Sequence, residues 1–261
     1  MKQKTGKIFF GLAVLAASVM TAVPASLAWD KAGQAKWESA NQSYRDGRYE
    51  EALAGYQELA KDHPRAASVY YNLGNTFFRM KKMGQSILYY EMALDRAPRN
   101  ADIRVNLDYA RSLSQYKMDD KRNWYLKAIE SLVHYWTEDE VWAVFLASLF
   151  LFLVAWVWVS WFRRGLPWGW LRKFLLVMTL LFGALCAAKY AQTHVIRDAI
   201  ILLDQAEVRY GPSLGDQVAF RLGEGLKVYV LERRADWSRI LLLNGESGWV
   251  QNVHIGEVRV P

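Results

Sequence analysis

The chain has 261 residues, of which 52% are hydrophobic and one is cysteine, a length sufficient for one large or two modest domains. This composition excludes collagen, a disulfide scaffold and a disordered tail. The formal net charge of +7 does not indicate nucleic-acid binding, because it is confined to two short segments, 2–7 and 163–173. Acidic and basic residues cancel in the rest of the chain.

Residues 1–28 have the three-part pattern of a secretory signal peptide. Three lysines precede an apolar stretch from Ile8 to Val23, and Pro24 is followed by small residues that end at Ala28. The alternative is an uncleaved N-terminal anchor. In either case we expect the segment that follows to be exported.

Two apolar runs predict a pair of transmembrane helices. The run 141–162 has 22 residues without a charge, and a helix of that length spans about 33 Å, enough to cross a hydrocarbon core. The run Phe174–Ala188 has only 15 such residues, so it can cross the membrane only if the Lys189 side chain extends to the interface. The second transmembrane helix is then predicted at 174–193. The alternative for this second run is a buried or re-entrant segment.

The loop between the two runs, 163–173, carries four basic residues and no acid, whereas Glu138, Asp139 and Glu140 lie at the opposite end of the first run. The positive-inside rule places such a loop in the cytoplasm. Eight of the twelve tryptophans lie between Trp124 and Trp170, as expected of residues at a membrane interface. We therefore predict a two-pass membrane protein with both flanking segments on the outer side of the membrane.

The first exported segment, 29–118, repeats with a period of 34 residues. When 33–66 is set over 67–100, Ala40 aligns with Gly74, Asn41 with Asn75, and further matches follow at Arg45 and Arg79, Tyr56 and Tyr90, and Pro64 and Pro98. This segment resembles the tetratricopeptide repeat family, whose helix pairs repeat at this period. A third unit begins at Ala101, and because its pattern then dissolves we expect a capping helix.

The resemblance implies a protein-binding groove lined by the first helix of each pair. Its predicted residues are Trp37, Asn41, Tyr44, Arg45, Tyr71, Asn75, Phe78 and Arg79. Interior packing is the open alternative for the aromatic members. Asn41 and Asn72 match the asparagines of the family's carboxylate-clamp subgroup, but Trp37, Asp102 and Asn106 occupy its basic positions. We therefore expect a stretch of partner protein, helical or extended, rather than a chaperone tail.

Residues 119–140 contain an amphipathic pattern, with Trp124, Leu126, Ile129, Leu132 and Val133 at helical spacing. Such a helix next to a membrane helix can lie on the outer leaflet. A soluble helix packed on the last repeat is the alternative.

The C-terminal segment, 199–261, consists of short β-rich runs separated by turns, with Asn244-Gly245 as a hairpin signal. Five strands are predicted, at 199–203, 218–222, 226–232, 238–243 and 248–250, and they suggest a small barrel. The sequences VRYGPS, LGEGLKVYVLE and DWSRILLLNGESGWV resemble the bacterial SH3-like family. In that family some members bind cell-wall peptides, so Tyr210, Trp237 and Trp249 are candidate contacts. A structural role is the alternative for these three residues.

No catalytic or cofactor motif is present in the sequence. The four histidines are isolated, and Cys186, in the second apolar run, is expected to be a packing residue. We therefore predict neither an enzyme nor a metal or cofactor site.

These predictions describe a multidomain membrane protein with an all-α tetratricopeptide solenoid, a transmembrane helical hairpin and a C-terminal all-β SH3-like barrel. This order of parts resembles the BatE proteins of the aerotolerance-operon group, which accompany a MoxR-type ATPase. The resemblance implies a non-catalytic scaffold of the bacterial inner membrane, with its repeat and SH3-like domains in the periplasm, whose partners are the von Willebrand factor A-type Bat proteins. A peptidoglycan-binding sensor or anchor is the alternative function.

Overall fold

The computed structural model describes residues 30–114, 122–161 and 169–259. The predicted signal peptide and most of the predicted cytoplasmic loop, 163–168, lie outside these residues. The described residues form eight α-helices followed by a seven-stranded antiparallel sheet. This order is the all-α then all-β layout predicted from the sequence.

Five helices form the N-terminal repeat domain. They are α1 (Lys31–Arg45), α2 (Tyr49–Asp62), α3 (Ala67–Arg79), α4 (Met83–Arg96) and α5 (Ala101–Leu113). Asp30 caps α1 by accepting a hydrogen bond from the amide of Gly33 at 2.7 Å, and Asn100 caps α5 in the same way through two amides. The predicted capping helix from residue 101 is therefore present as α5.

Small residues allow the paired helices to cross closely. A methyl group added at Gly74 of α3 would lie 2.5 Å from the ring of Tyr90 in α4, and one at Gly55 of α2 would lie 3.0 Å from the Cβ of Ala40 in α1. These small residues leave room for fully buried large ones such as Tyr56 and Leu73. The repeat core therefore follows the alternation of small and large residues in the sequence.

Three further helices follow: α6 (Trp124–Tyr135), α7 (Glu138–Trp161) and α8 (Gly169–Tyr190), the last continued by a π-helical turn, Ala191–Val195. Within the described part of the predicted 119–140, α6 begins at Trp124, and it ends at Tyr135 because a capping box begins α7. The amide of Thr137 donates to the Glu140 carboxylate at 3.1 Å, and the amide of Glu140 donates to the Thr137 hydroxyl at 3.3 Å.

α7 and α8 are long and apolar enough to cross a membrane. They pack through small groups, since the Cys186 thiol donates to the Val141 carbonyl at 3.5 Å and Gly183 faces the Phe145 ring. α8 begins at Gly169, so the prediction that Arg172 and Lys173 lie in the loop was wrong. Both are good helix formers that do not interrupt a helix.

The strands are β1 (Arg197–Ile201), β2 (Ala206–Arg209), β3 (Val218–Leu222), β4 (Lys227–Arg234), β5 (Trp237–Leu241), β6 (Ser247–Gln251) and β7 (Ile255–Glu257). They pair in the order β3-β2-β6-β5-β4-β1-β7. Between β5 and β6, Leu241 pairs with Ser247, and Gly245 in the turn has a φ of 93°. Fully buried residues from several strands, including Ala199 of β1, Val208 of β2 and Ile240 of β5, fill the core of this sheet domain.

The prediction of five strands was wrong in number. β2 has four residues and β7 has three, and runs this short show too few alternations to be recognised by a period of two. Among the described residues the pairing does not close between β3 and β7, so the predicted barrel is an open sheet by its hydrogen bonds.

The repeat domain and the sheet domain share a core. Ile87 and Leu88 of α4 cluster with Ile200 of β1 and Val258. The close approach depends on Gly84, where a methyl group would lie 2.8 Å from the carbonyl oxygen of Ile201. The Glu224 side chain also accepts a hydrogen bond from the Gly84 amide at 2.9 Å.

Buried ion pairs join the same two domains. The Lys227 ammonium lies 3.0 Å from the Asp198 carboxylate, and the Arg259 guanidinium contacts both Asp198, at 3.8 Å, and Asp95 of α4. Burial lowers the pKa of Lys227, but the carboxylates of Glu91 and Asp198 outweigh burial and hold it above its ordinary value. These groups border a cavity of about 190 Å³ between α4, α6 and the sheet.

Candidate functional site: an amide-lined face of the repeat domain

A strip of four asparagines lies across the first helices of successive pairs. Asn41 comes from α1, Asn72 and Asn75 from α3, and Asn106 from α5. The amide of Asn72 donates to the Asn41 oxygen at 3.0 Å, and the amide of Asn106 donates to the Asn75 oxygen at 3.3 Å. We call these four residues the asparagine strip.

Two tyrosines of the second helices support the strip. The Tyr56 hydroxyl donates to the Asn41 oxygen at 2.7 Å, and the Tyr90 hydroxyl donates to the Asn75 oxygen at the same distance. The contact between Tyr56 and Asn41 therefore recurs 34 residues later as the contact between Tyr90 and Asn75. The repeat in sequence is therefore also a repeat of hydrogen-bond geometry.

The tyrosine hydroxyls keep their protons at physiological pH. Burial raises the pKa of Tyr56 to about 12, and it also raises the pKa of Tyr90. Each hydroxyl therefore remains a donor that fixes the orientation of the asparagine beside it. The half-buried asparagines hold amide groups at the surface, which can both donate and accept.

An edge of aromatic and arginine side chains flanks the strip. Tyr44 makes an edge contact with Tyr49 at 5.7 Å between ring centroids, and the Arg79 guanidinium donates to the Tyr49 hydroxyl at 2.9 Å. Phe78 lies 5.7 Å from the Tyr109 ring. Arg45 is exposed and donates to the Gln42 side chain at 2.6 Å.

The predicted aromatic groove residues are both surface and packing residues. Trp37 contacts the Tyr56 ring at 5.8 Å, and Tyr71 contacts the Tyr90 ring at 5.9 Å. Trp37, Tyr44, Tyr71 and Phe78 are half-buried against the repeat core. The Tyr71 hydroxyl also accepts a hydrogen bond from Asn106 at 2.7 Å.

Asn72, Asn106, Tyr49 and Tyr109 belong to this face but were not among the predicted groove residues. A signal for the first two was present, because Asn72-Leu73 recurs 34 residues later as Asn106-Leu107. The two tyrosines have no such signal. Their positions depend on how adjacent helices cross.

The candidate contacts of the sheet domain separate into two kinds. Tyr210 is 73% exposed, whereas Trp237 and Trp249 are 9% and 8% exposed. The Arg234 guanidinium lies over the Trp249 ring, 5.1 Å from its centroid. Tyr210 is therefore available to a ligand, and the two tryptophans are packing residues in this structure.

The described residues contain no group of three or more His, Cys, Asp and Glu side chains that could hold a metal ion. The asparagine strip carries no charge. Its chemistry is the paired donation and acceptance by which amides bind a polar backbone.

The fold and this face define a helical-repeat protein with a C-terminal antiparallel sheet. A family model described as tetratricopeptide repeat matches residues 40–99, from the middle of α1 to beyond the end of α4. The helical repeats are therefore a tetratricopeptide domain.

An 80-residue segment of the chain is also 32% identical to a Bacillus subtilis protein named "Putative N-acetylmuramoyl-L-alanine amidase YrvJ". The match covers 30% of this chain and 15% of that protein. The chain therefore corresponds to a small part of this relative's length.

Proposed function

We propose that the chain is a non-catalytic scaffold of the bacterial inner membrane that presents its repeat face and its sheet domain to partner proteins in the periplasm. The observation that carries this proposal is the asparagine strip, whose hydrogen bonds recur with the repeat. An ordered strip of amides suits an extended or helical segment of a partner, whose polar groups it can pair.

The membrane location is supported by α7 and α8. In the most apolar stretches of these two helices only 11% and 17% of the residues are buried, whereas most residues of a core helix in a soluble protein are buried. Arg172 and Lys173 stand at the start of α8, while Glu138, Asp139 and Glu140 begin α7. This charge asymmetry favours a cytoplasmic location for the segment that connects the two helices.

The proposed partners are the von Willebrand factor A-type Bat proteins, in an envelope stress complex with a MoxR-type ATPase. The order of repeat domain, apolar helix pair and antiparallel sheet domain supports this assignment through its resemblance to the BatE proteins.

Site-specific photo-crosslinking in living cells tests the role of the repeat face. A benzophenone amino acid replaces Phe78 beside the strip, and in a second strain it replaces Tyr210 on the sheet domain. We expect a discrete adduct with a Bat protein from position 78. The matched control places the same group at Glu58 of α2, a second helix of a pair, whose side chain is 63% exposed. Equal adducts from positions 78 and 58, or none from position 78, would contradict the proposal.

Association with peptidoglycan is the second candidate function. It is supported by the similarity to the amidase and by the exposed Tyr210 of the sheet domain. The full chain in lipid nanodiscs is sedimented with purified sacculi, beside a Tyr210→Ala variant. Co-sedimentation that this substitution reduces would favour the wall-binding function. A wild-type chain that stays in the supernatant would exclude it.

A further inference from the structure

α6 is oriented with its polar side toward the protein. The Arg122 guanidinium, just before the helix, donates to Glu130 at 2.7 Å and to the Tyr229 hydroxyl of β4 at 2.9 Å. One turn later, the His134 ring contacts the Gln192 side chain beyond α8. The polar side of α6 is therefore joined to the sheet domain and to the end of the apolar helix pair.

The opposite side of α6 is apolar and open. Five large hydrophobic or aromatic residues lie on this side, and each is at least 47% exposed: Trp124, Tyr125, Ile129, Leu132 and Tyr135. At 100° per residue these five fall within one half of the helix circumference. We call these five residues the apolar face of α6. A helix of a soluble domain has the reverse arrangement, with its apolar side toward the core.

The apolar face is continuous with the apolar helix pair. Two residues separate the end of α6 from the start of α7, and the Val133 carbonyl of α6 accepts a hydrogen bond from the Lys189 ammonium of α8 at 3.3 Å. Trp142, in the second turn of α7, is 41% exposed. Three of the five residues on the apolar face are Trp or Tyr, which concentrate where hydrocarbon meets headgroups.

We propose that the apolar face of α6 lies in the outer interface of the lipid bilayer. This inference rests on the proposed membrane location of α7 and α8. Since Arg122 and Glu130 hold β4 against the other side of α6, the helix fixes the sheet domain close to the lipid surface. The shared core around Ile87 and Ile200 then holds the repeat domain at a defined height.

Spin-label accessibility tests the proposal on the full chain. In a Cys186→Ala background, single cysteines replace Ile129 and Leu132 on the apolar face, and the labelled protein is placed in nanodiscs of phosphatidylethanolamine and phosphatidylglycerol. Leu146 of α7, 50% exposed, reports the membrane helix, and Val105 of α5, 64% exposed, reports water. Collisions with oxygen and with a water-soluble nickel complex are compared at all four positions.

We expect labels at 129 and 132 to favour oxygen, at a depth of about 5–10 Å below the headgroup boundary, with 146 deeper and 105 in water. A label at 146 in lipid with 129 and 132 in water would overturn the inference and leave the membrane location intact. A label at 146 in water would contradict the membrane location itself. Labels at 129 and 132 that meet neither reagent would identify a protein partner as the occupant and would also overturn the inference.

Discussion

Removal of the Asp198 carboxylate should loosen the contact between the repeat domain and the sheet domain. Its side chain is only 4% exposed and faces two cations, Lys227 and Arg259, that are themselves 17% and 10% exposed. In an Asp198→Ala variant Arg259 keeps Asp95 as a partner, and Lys227 keeps the attraction of the Glu91 carboxylate but loses its 3.0 Å ion pair. Breaking a buried pair on one side costs about 3–5 kcal/mol, because the remaining charge stays desolvated.

Hydrogen exchange measured by mass spectrometry on the full chain in nanodiscs reports this loss. Since about 1.4 kcal/mol is a factor of ten, amides of β1 and β4 that exchange through opening of this contact should exchange at least about 100-fold faster. A matched control is Asp139→Ala, which removes a 3.4 Å pair with Arg65 whose side chains are 80% and 83% exposed. In the Asp139→Ala variant the exchange rates of the β1 and β4 amides should rise by less than about fivefold.

A double variant separates pairing from packing. Replacing both charges, as Asp198→Asn with Lys227→Met, leaves no unpaired cation at this position, so it should cost less than the sum of the two single changes. Exchange in Asp198→Ala that matches the wild type would refute the view that this ion cluster holds the two domains together.

Three further variants test the packing and the pH response. Ile87→Ala removes a fully buried side chain of the shared core and should destabilise by about 2–5 kcal/mol, with faster exchange in both α4 and β1; an effect limited to α4 would contradict the shared core. Gly74→Ala places a methyl group 2.5 Å from the Tyr90 ring and should lower thermal stability by about 1–3 kcal/mol, whereas unchanged stability would mean that the helix crossing is loose. Burial, together with the charge of Lys227, lowers the pKa of His134 below its ordinary 6.5, despite the opposing effects of Glu130 and Asp198. The folded state therefore binds this proton less readily than the unfolded state, so stability is full above about pH 6.5 and falls as the pH decreases below it. His134→Gln should flatten a plot of stability against pH below about pH 6.5. An unchanged slope would refute the view that His134 causes this loss of stability.

The period of 34 residues accounts for how much of the repeat domain could be predicted. Asn41 and Asn75, or Tyr56 and Tyr90, occupy equivalent positions because each helix pair repeats the same packing. The strip could therefore have been extended to Asn72 and Asn106 by the same arithmetic.

The junction of the domains has no comparable signal. Asp95, Asp198, Lys227 and Arg259 are spread over 165 residues and meet only because α4 packs on β1. No local pattern predicts which charges will become buried together. The low exposure of Trp237 and Trp249 has the same origin, since it depends on strand pairing and on Arg234 above the Trp249 ring.

Affinity purification of the full-length chain from gently solubilised native membranes, with a quantitative comparison of wild type and Arg45→Ala/Arg79→Ala, tests the scaffold function most directly. Both arginines lie at the ends of the first helices, α1 and α3, beside the asparagine strip. We expect the von Willebrand factor A-type Bat proteins to co-purify in fixed ratio with the wild type and to be depleted from the double variant. Recovery of the same partners with both proteins would show that the repeat face does not bind them. Recovery of no Bat protein with the wild type would contradict the scaffold function.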